Sequence, residues 1–127
     1  MDWQSLETFS FGDSPALADE LATLVLAGIK TATCWAAVEG VKTEPGKLTV
    51  MLSGNGRPLA VIKTVEVTLR RFDEVDASFA YDEGEDDRSL ASWREGHRRY
   101  FTRLGQFSQD MMLYCERFRL VERLTGL

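Results

Sequence analysis

Residues 14–36, SPALADELATLVLAGIKTATCWA, join a helical pattern to an extended one, and this junction organises the rest of the chain. Ser14 and Pro15 are residue types preferred at a helix start, and apolar side chains then recur on one face. Gly28 favours the left-handed conformation that ends helices. We therefore predict a helix over residues 14–27 and an extended segment over residues 31–38.

Beyond the junction, the pattern is typical of strands. Residues 48–53 and 59–69 are predicted strands joined through Asn55-Gly56, which is a strong hairpin signal. Residues 111–121, MMLYCERFRLV, form the last predicted strand. Alternation in the second strand predicts one buried face, made of Val65, Val67 and Leu69.

A second helical pattern begins at Ser89 and ends at Gly105, and the acidic run at 82–87 before it is predicted to be a loop. Its apolar face would carry Leu90, Trp93, His97, Phe101 and Leu104. Together, these elements predict an α+β fold. We expect a small antiparallel or mixed β-barrel flanked by two main helices, in one domain over residues 1–127.

The composition limits the classes of function. The 127 residues suit one core, and 44 % of them are apolar. No apolar run approaches the roughly 20 residues of a membrane span, and the acidic start MDWQSLETF differs from a signal peptide. We therefore expect a cytoplasmic protein that does not contact membranes. The net charge of −5 argues against an extended nucleic-acid-binding surface but allows a local basic pocket.

The potential metal ligands are sparse. Cys34 and Cys115 lack metal-ligand spacing, and His97 is the only histidine. The run DEGEDD at 82–87 does not follow the calcium-loop pattern. We predict neither a metal nor another cofactor. The cysteines are expected to be buried thiols, with a nucleophilic Cys34 as the alternative.

Lys30 is the first candidate for chemistry because it lies just past the predicted helix end, where free carbonyls favour a cation. Alone, it would be a solvated capping residue. Thr33 follows three residues later, so an ammonium and a hydroxyl are expected close together. Such a lysine can bind phosphate or carbonyl oxygens, lower the pKa of a hydroxyl, or act as a base when desolvated.

Two other segments carry charged or aromatic candidates. Glu83 and Glu85 place two carboxylates around a flexible glycine, and either would complete an acid–base set with a lysine and a hydroxyl. Without such a role, the acidic run 82–87 would simply be a solvated loop. In the second helix, His97 is expected in the core, at its rim or in catalysis. Arg94 and its neighbouring arginines would bind phosphates or form a basic outer side.

Several motifs in this order are familiar together: GIKTAT, EPGKLTVML, GNGRPLAVIKTVEV, FDEVDASFAYDEGEDDRSLASWREGH and FSQDMMLYCERFRLV. From about residue 10 to residue 122 the chain resembles the ASCH domain family, and within it the branch described as predicted RNA-binding proteins. The resemblance implies a β-barrel related to the PUA fold and a cleft lined by the lysine segment. It also implies RNA binding or RNA cleavage.

One small branch of that family hydrolyses N4-acetylcytidine to cytidine and acetate. The resemblance places its lysine and threonine at Lys30 and Thr33, and its glutamate at Glu85, with Glu83 as the rival position. Ser108 lies near a serine implicated in RNA cleavage by a relative. The chain departs from the family pattern at Asp86, where glycine is common, and at Lys47, where aspartate is usual.

Three hypotheses remain open from the sequence. As a binding module, the cleft would hold RNA or a nucleoside on Lys30, with Trp35 or Tyr81 stacked on a base and the arginines of 94–103 along the backbone. Slow RNA cleavage would accompany that role. Another hypothesis is a non-catalytic interaction domain, and the remaining one is an amidohydrolase.

As an amidohydrolase, the chain would use Thr33 as its nucleophile. Lys30 would lower the pKa of the Thr33 hydroxyl or take its proton. Glu85 would orient Lys30 or carry the proton to the leaving amine. A small neutral nucleoside needs no basic surface, so the negative net charge is compatible with this hypothesis.

Overall fold

The structure, a computed structural model, describes residues 2–124 and has the predicted α+β composition. In chain order its elements are β1 (Thr8–Phe9), α1 (Pro15–Leu26), β2 (Ala32–Ala36), β3 (Leu48–Leu52), β4 (Pro58–Arg71), α2 (Ala77–Glu83), α3 (Leu90–Arg103) and β5 (Met112–Arg123). Three short 3-10 turns lie at Trp3–Ser5, Ala37–Glu39 and Phe72–Glu74.

The five strands form one mixed sheet in the order β1-β3-β4-β5-β2. The β1–β3 pair is parallel, and the other three pairs are antiparallel. Within residues 2–124, β1 and β2 are edge strands that do not pair with each other. The sheet is therefore open, and the predicted closed barrel is not present in this part of the chain.

The helix at the opening junction forms as predicted. Leu17 N–H donates to the Ser14 hydroxyl at 3.1 Å, which caps the first turn. The helix ends at Leu26, and Gly28 has a φ of 77°, the left-handed conformation that glycine adopts without steric cost. Thus residues 27–31 connect α1 to β2.

The prediction of two helices missed α2, and the predicted acidic loop begins too early. Asp76 caps α2 by accepting a hydrogen bond from Phe79 N–H at 2.9 Å, and the left-handed Gly84 ends it. Asp82 and Glu83 therefore lie in the last turn of this seven-residue helix. Because so short a helix shows little periodicity, its two capping residues were the only sequence signal.

The predicted buried face of β4 is wrong. Val65 and Leu69 are 54 % and 53 % exposed. The strand pairing shifts register between Thr64 and Glu66, which changes the face that each later side chain occupies. The opposite face packs towards α2, where the guanidinium of Arg70 lies 5.6 Å from the centre of the Phe79 ring.

The core has two clusters of buried apolar side chains. One includes Leu21, Val25, Met51 and Phe118 and is associated with α1. The other lies beneath α2 and α3 and includes Phe72, Val75, Phe79, Trp93 and Phe101. Leu104, which was expected on the buried face of α3, is 38 % exposed. Over the described residues, no helix has the length and apolarity that crossing a membrane requires.

Candidate active site

Hydrogen bonds fasten the segment after α1 to the C-terminal end of α2. Thr31 N–H donates to the Asp82 carbonyl at 2.7 Å, and the Arg88 guanidinium donates to the Ile29 carbonyl at 3.3 Å. The backbones approach so closely that a Cβ at Gly84 would lie 2.6 Å from the Ile29 oxygen. Only glycine fits there, and the carboxylates on either side of it are brought to Lys30.

Lys30 is buried between two carboxylates, with only 1 % of its side chain exposed. Its Nζ lies 2.9 Å from Glu83 Oε1 and 2.9 Å from Glu85 Oε2, and it also donates to the Glu83 carbonyl at 3.3 Å. Burial alone would lower the pKa of Lys30, but the two carboxylates outweigh it and raise that pKa above its usual value. Lys30 is therefore an ammonium at neutral pH.

Glu83 is the most fully bonded carboxylate of the cluster. Its Oε2 accepts hydrogen bonds from Trp93 Nε1 at 2.8 Å and Cys34 Sγ at 3.2 Å, and lies 3.3 Å from His97 Nε2. Burial opposes its ionisation. However, Lys30, His97 and Trp93 outweigh burial and hold the pKa of Glu83 well below its usual range. Glu83 is thus a fixed anion.

Glu85 differs from Glu83 although both contact the same ammonium. Its side chain is 27 % exposed and has one hydrogen bond, from Lys30, among the described residues. Burial and the negative charge of Glu83 raise the pKa of Glu85, and Lys30 only partly offsets them. Two carboxylates whose pKa values are driven apart in this way are suited to different roles. Of the pair, Glu85 is the one placed to exchange a proton.

His97 supports the buried anion. Its ring stacks on Trp93 with 4.3 Å between ring centres, and its Nδ1 lies 2.9 Å from the Trp93 carbonyl oxygen. Burial lowers the pKa of His97, but the Glu83 carboxylate outweighs burial and raises it. The imidazolium form is therefore stabilised beside Glu83. Its placement, largely buried at the wall of a cavity, fits the expected rim position.

Two neighbouring cavities share five lining residues, which are Phe11, Gly12, Thr33, Cys34 and Tyr100. The first, of about 220 Å³, is lined by Lys30, Glu83, Glu85 and His97 together with Thr33. The second, of about 330 Å³, is lined by Thr33 and Trp35 among others. Thr33 therefore lines both the cavity of the charged cluster and a space large enough for a small ligand.

The remaining predicted site residues lie away from these cavities. Tyr81 is 55 % exposed, and the centre of its ring lies 3.6 Å from Cζ of Arg88, whose guanidinium covers it. Arg94 is exposed on α3, and Ser108 donates to Asp110 Oδ1 at 3.0 Å in an exposed turn before β5. Thus the structure brings together Lys30, Thr33, Trp35, Glu83, Glu85 and His97, but it does not bring Tyr81, Arg94 or Ser108 to them.

Cys34, Glu83 and His97 each offer a donor atom, and these atoms lie within 4.8 Å of one another. Such a set resembles three ligands of a zinc site. Here, however, Glu83 already pairs with Lys30, and burial followed by the Glu83 charge raises the pKa of the Cys34 thiol. A thiol that stays protonated is a poor nucleophile. The cluster is therefore better suited to fixing Glu83 than to binding a cation.

Comparisons with known proteins identify the family and the fold. A model of the ASCH domain family matches residues 7–122. This chain belongs to the ASCH domain family. Its fold is similar to an ASCH domain from Lactobacillus crispatus JV V101, with 33 % identity, a TM-score of 0.84, and coverage of 94 % of this chain and 82 % of the other.

A second similar structure is a protein from Enterococcus faecalis V583. It is 35 % identical, with a TM-score of 0.83 and coverage of 94 % of this chain and 78 % of the other. None of the curated proteins matches the chain. The family and its fold are therefore established for this ASCH domain.

Sequence reasoning missed two polar features of the site. Trp93 was expected only as a core residue, yet its indole N–H is bonded to Glu83. Glu116 was not singled out, yet it lines the larger cavity and is only 7 % exposed. The sequence offered little signal for Glu116, because it is followed by Arg117 and reads as one of several charged residues in the last predicted strand.

Proposed function

We propose that this ASCH domain is an amidohydrolase that removes the acyl group from N4-acylated cytidine-type nucleosides. The observation that supports the proposal is that Thr33 is one of the residues that line both cavities. On one side lie Lys30 and Glu85, and on the other lies a 330 Å³ space walled in part by Trp35. A base in that space would bring its acylated amino group towards the hydroxyl.

The burial of Lys30 favours this reaction over a grip on RNA. A lysine that contacts phosphates gains affinity by releasing counterions, and it must be accessible to do so. Lys30 is 1 % exposed and is surrounded by negative charge from Glu83 and Glu85. Its charge is therefore better placed to act on a small group that enters the cavity.

In the first half of the reaction, the Thr33 oxygen attacks the acyl carbon and its proton passes to the Glu85 carboxylate. The ammonium of Lys30 lowers the pKa of the hydroxyl and stabilises the developing oxyanion. As the tetrahedral intermediate collapses, the carbon–nitrogen bond breaks and Glu85 gives the proton to the leaving amine. Cytidine departs and an acyl ester remains on Thr33.

In the second half, water replaces the nucleoside. Glu85 takes a proton from the water, whose oxygen attacks the ester carbon. The ester bond then breaks, and Glu85 returns the proton to the Thr33 oxygen. One amide and one water thus yield one amine and one carboxylic acid, with Glu85 as both general base and general acid. Lys30 keeps its proton throughout, as its raised pKa requires.

The test is release of cytidine from N4-acetylcytidine by the folded protein and by Thr33→Val, which removes the hydroxyl but keeps a similar shape. We expect turnover by the wild type and a loss of at least about a hundredfold in the variant. Thr31→Val is the matched control, because Thr31 bonds to the Asp82 carbonyl and lines neither cavity. Absence of turnover in the wild type, or full activity in Thr33→Val, would contradict the proposal.

A second candidate function, binding of RNA with or without cleavage, is favoured by one observation: arginines are exposed along α3. Three of them already pair with carboxylates, namely Arg98 and Arg99 with Glu95, and Arg103 with Asp13. If RNA binding is the function, affinity for a short RNA should fall steeply with salt and depend on Arg94, Arg98 and Arg99. Salt-independent or absent binding would leave only the hydrolase or a non-catalytic interaction domain.

A further inference from the structure

A chain of polar side chains forms part of the wall of the larger cavity, outside the Lys30 cluster. The buried Thr64 hydroxyl donates to Glu116 Oε2 at 2.7 Å. The hydroxyl oxygens of Thr43 and Thr64 are also 2.7 Å apart. Since Thr64 gives its proton to Glu116, Thr43 must give its proton to Thr64. Both hydrogen bonds keep this direction as long as Glu116 carries no proton on Oε2.

This direction assigns different roles to the two oxygens of Glu116. Oε2 is an acceptor, because it receives the Thr64 proton. Among the described residues, Oε1 has no hydrogen-bond partner, and Glu116 is one of the residues that line the 330 Å³ cavity. Glu116 is also directly opposite Thr33 in the β2–β5 pair, so the two side chains share a face of the sheet.

The surroundings oppose the ionisation of this carboxyl. Burial raises the pKa of Glu116, and the Thr64 hydrogen bond and the Lys30 charge only partly offset that effect. A neutral carboxyl offers an O–H donor on Oε1 and an acceptor on Oε2, side by side. That pair is complementary to a ring nitrogen next to an N–H group.

We propose that Glu116 determines the specificity of the larger cavity by pairing, as a neutral carboxylic acid, with the N3 and N4–H edge of a cytosine-type base. Oε1–H donates to N3, and Oε2 accepts from N4–H. The acyl group on N4 then lies on the side of Thr33. The inference takes its class of ligand from the proposed function, but it concerns recognition of the base and not the reaction.

Other charged or titratable groups face the same space and must be considered with Glu116. Lys30 acts on it from the α1–β2 connection. The groups that line the cavity from the other elements are Glu7, Cys34, Glu39, Lys42 and Tyr100. None of these is bonded to Glu116, so substitution of Glu116 itself isolates its contribution.

The test compares the binding of cytidine and 3-deazacytidine by calorimetry. The two ligands differ only in N3, which is replaced by C–H, and neither has an acyl group to hydrolyse. We expect the wild type to prefer cytidine by about tenfold or more, the discrimination typical of a paired hydrogen-bonding edge. In Glu116→Leu the ratio of the two affinities should fall to about one, and in Glu116→Gln, which keeps a donor and an acceptor, it should persist.

The same ratio is then measured from about pH 5, just above the usual pKa of glutamate, to about pH 8.5. In the wild type it should fall as the pH rises through the raised pKa of Glu116, because a carboxylate repels the N3 lone pair. In Glu116→Gln it should stay constant. A purely structural role for Glu116 would not give this difference, and the Gln variant keeps the test valid if Glu116→Leu does not fold.

The outcomes separate this inference from the proposed function. Equal affinity for the two ligands, no binding of either, a ratio independent of pH in the wild type, or a preference for guanosine would each overturn the inference. The last result would indicate an ionised carboxylate. Discrimination without any hydrolysis of N4-acetylcytidine would support Glu116 as the base-recognising residue and refute the amidohydrolase.

Discussion

Lys30 and the arginines of α3 carry the same charge in opposite surroundings. Lys30 is 1 % exposed and contacts two carboxylates that come from one turn of chain. Arg98 and Arg99 have about half or more of their side chains exposed, and both pair with Glu95 on the same helix. The first arrangement requires the tertiary fold, whereas the second requires only a helix.

The difference shows that burying a charged side chain costs free energy, whereas an exposed one costs little. A buried charge therefore calls for a structural or functional explanation. Exposed pairs on a helix contribute at most about 1 kcal/mol and can be lost without consequence. A buried lysine and two carboxylates lose their hydration, so the fold must hold them in good geometry. Such an arrangement often marks a functional site, and here it lines a cavity that Thr33 also lines.

The largest expected effect comes from removing the buried cation. Lys30→Met would leave the carboxylates of Glu83 and Glu85 without the ammonium that they share, and we expect a loss of about 3–5 kcal/mol in the free energy of unfolding. Urea denaturation measures it. Arg99→Met is the matched control, with an expected change below about 1 kcal/mol. Similar losses of stability in the two variants would contradict the claim that the buried Lys30 cluster stabilises the fold more than the exposed pairs of α3 do.

A smaller effect is expected from the indole that binds Glu83. Trp93→Phe keeps the aromatic packing but removes the N–H donor to a buried carboxylate, which should cost about 1–3 kcal/mol of stability. Trp35→Phe is the control, because its N–H donates to the exposed Gly40 carbonyl at 2.8 Å. We expect that variant to lose less, and an equal loss would show that Glu83 does not depend on Trp93.

The pH dependence of stability sharpens the comparison further. Because Glu83 raises the pKa of His97 in the folded state, His97 contributes stability that is fully present below its unfolded pKa of about 6.5. That stability is lost as the pH rises through the folded pKa. Denaturation curves across this range should show the decline in the wild type and not in His97→Gln. An identical slope in both proteins would contradict the pairing of His97 with Glu83.

The smallest expected effect concerns Asp86, a residue other than glycine with a positive φ. Its φ is 54°, a left-handed conformation that glycine adopts more easily than aspartate. Asp86→Gly should raise stability by about 1 kcal/mol or less, since the relief of strain is partly offset by the greater flexibility of the unfolded chain. Thermal denaturation measures the change. A clear loss of stability would indicate that the Asp86 carboxylate has a role of its own.

Local signals predicted much of the fold. The cap at Ser14, the stop at Gly28 and the Asn55-Gly56 turn each act within a few residues, and the elements beside them form as expected. The exposed Val65 and Leu69 were assigned wrongly because the register shift in the β4–β5 pair depends on a partner strand. Likewise, β1 has only two residues and exists through its pairing with β3.

The site was predictable as a set of residues but not as an arrangement. Lys30, Thr33, Glu83 and Glu85 were found from their types and spacing. The opposite pKa shifts of the two glutamates were not predicted. They arise in part from Trp93 and His97, which contact Glu83 from another helix. Glu116 was missed for the same reason, since its hydrogen-bond partner Thr64 lies on another strand.

The most direct test of the central claim is one assay of cytidine release from N4-acetylcytidine on three proteins. These are the wild type, Glu85→Gln, and a triple variant with Arg94, Arg98 and Arg99 changed to glutamine. We expect kcat/KM to fall at least about a hundredfold in Glu85→Gln, because the proton carrier is lost, and to stay within about twofold in the triple variant. The reverse pattern, or no turnover by the wild type, would contradict the claim that the buried cluster carries the function.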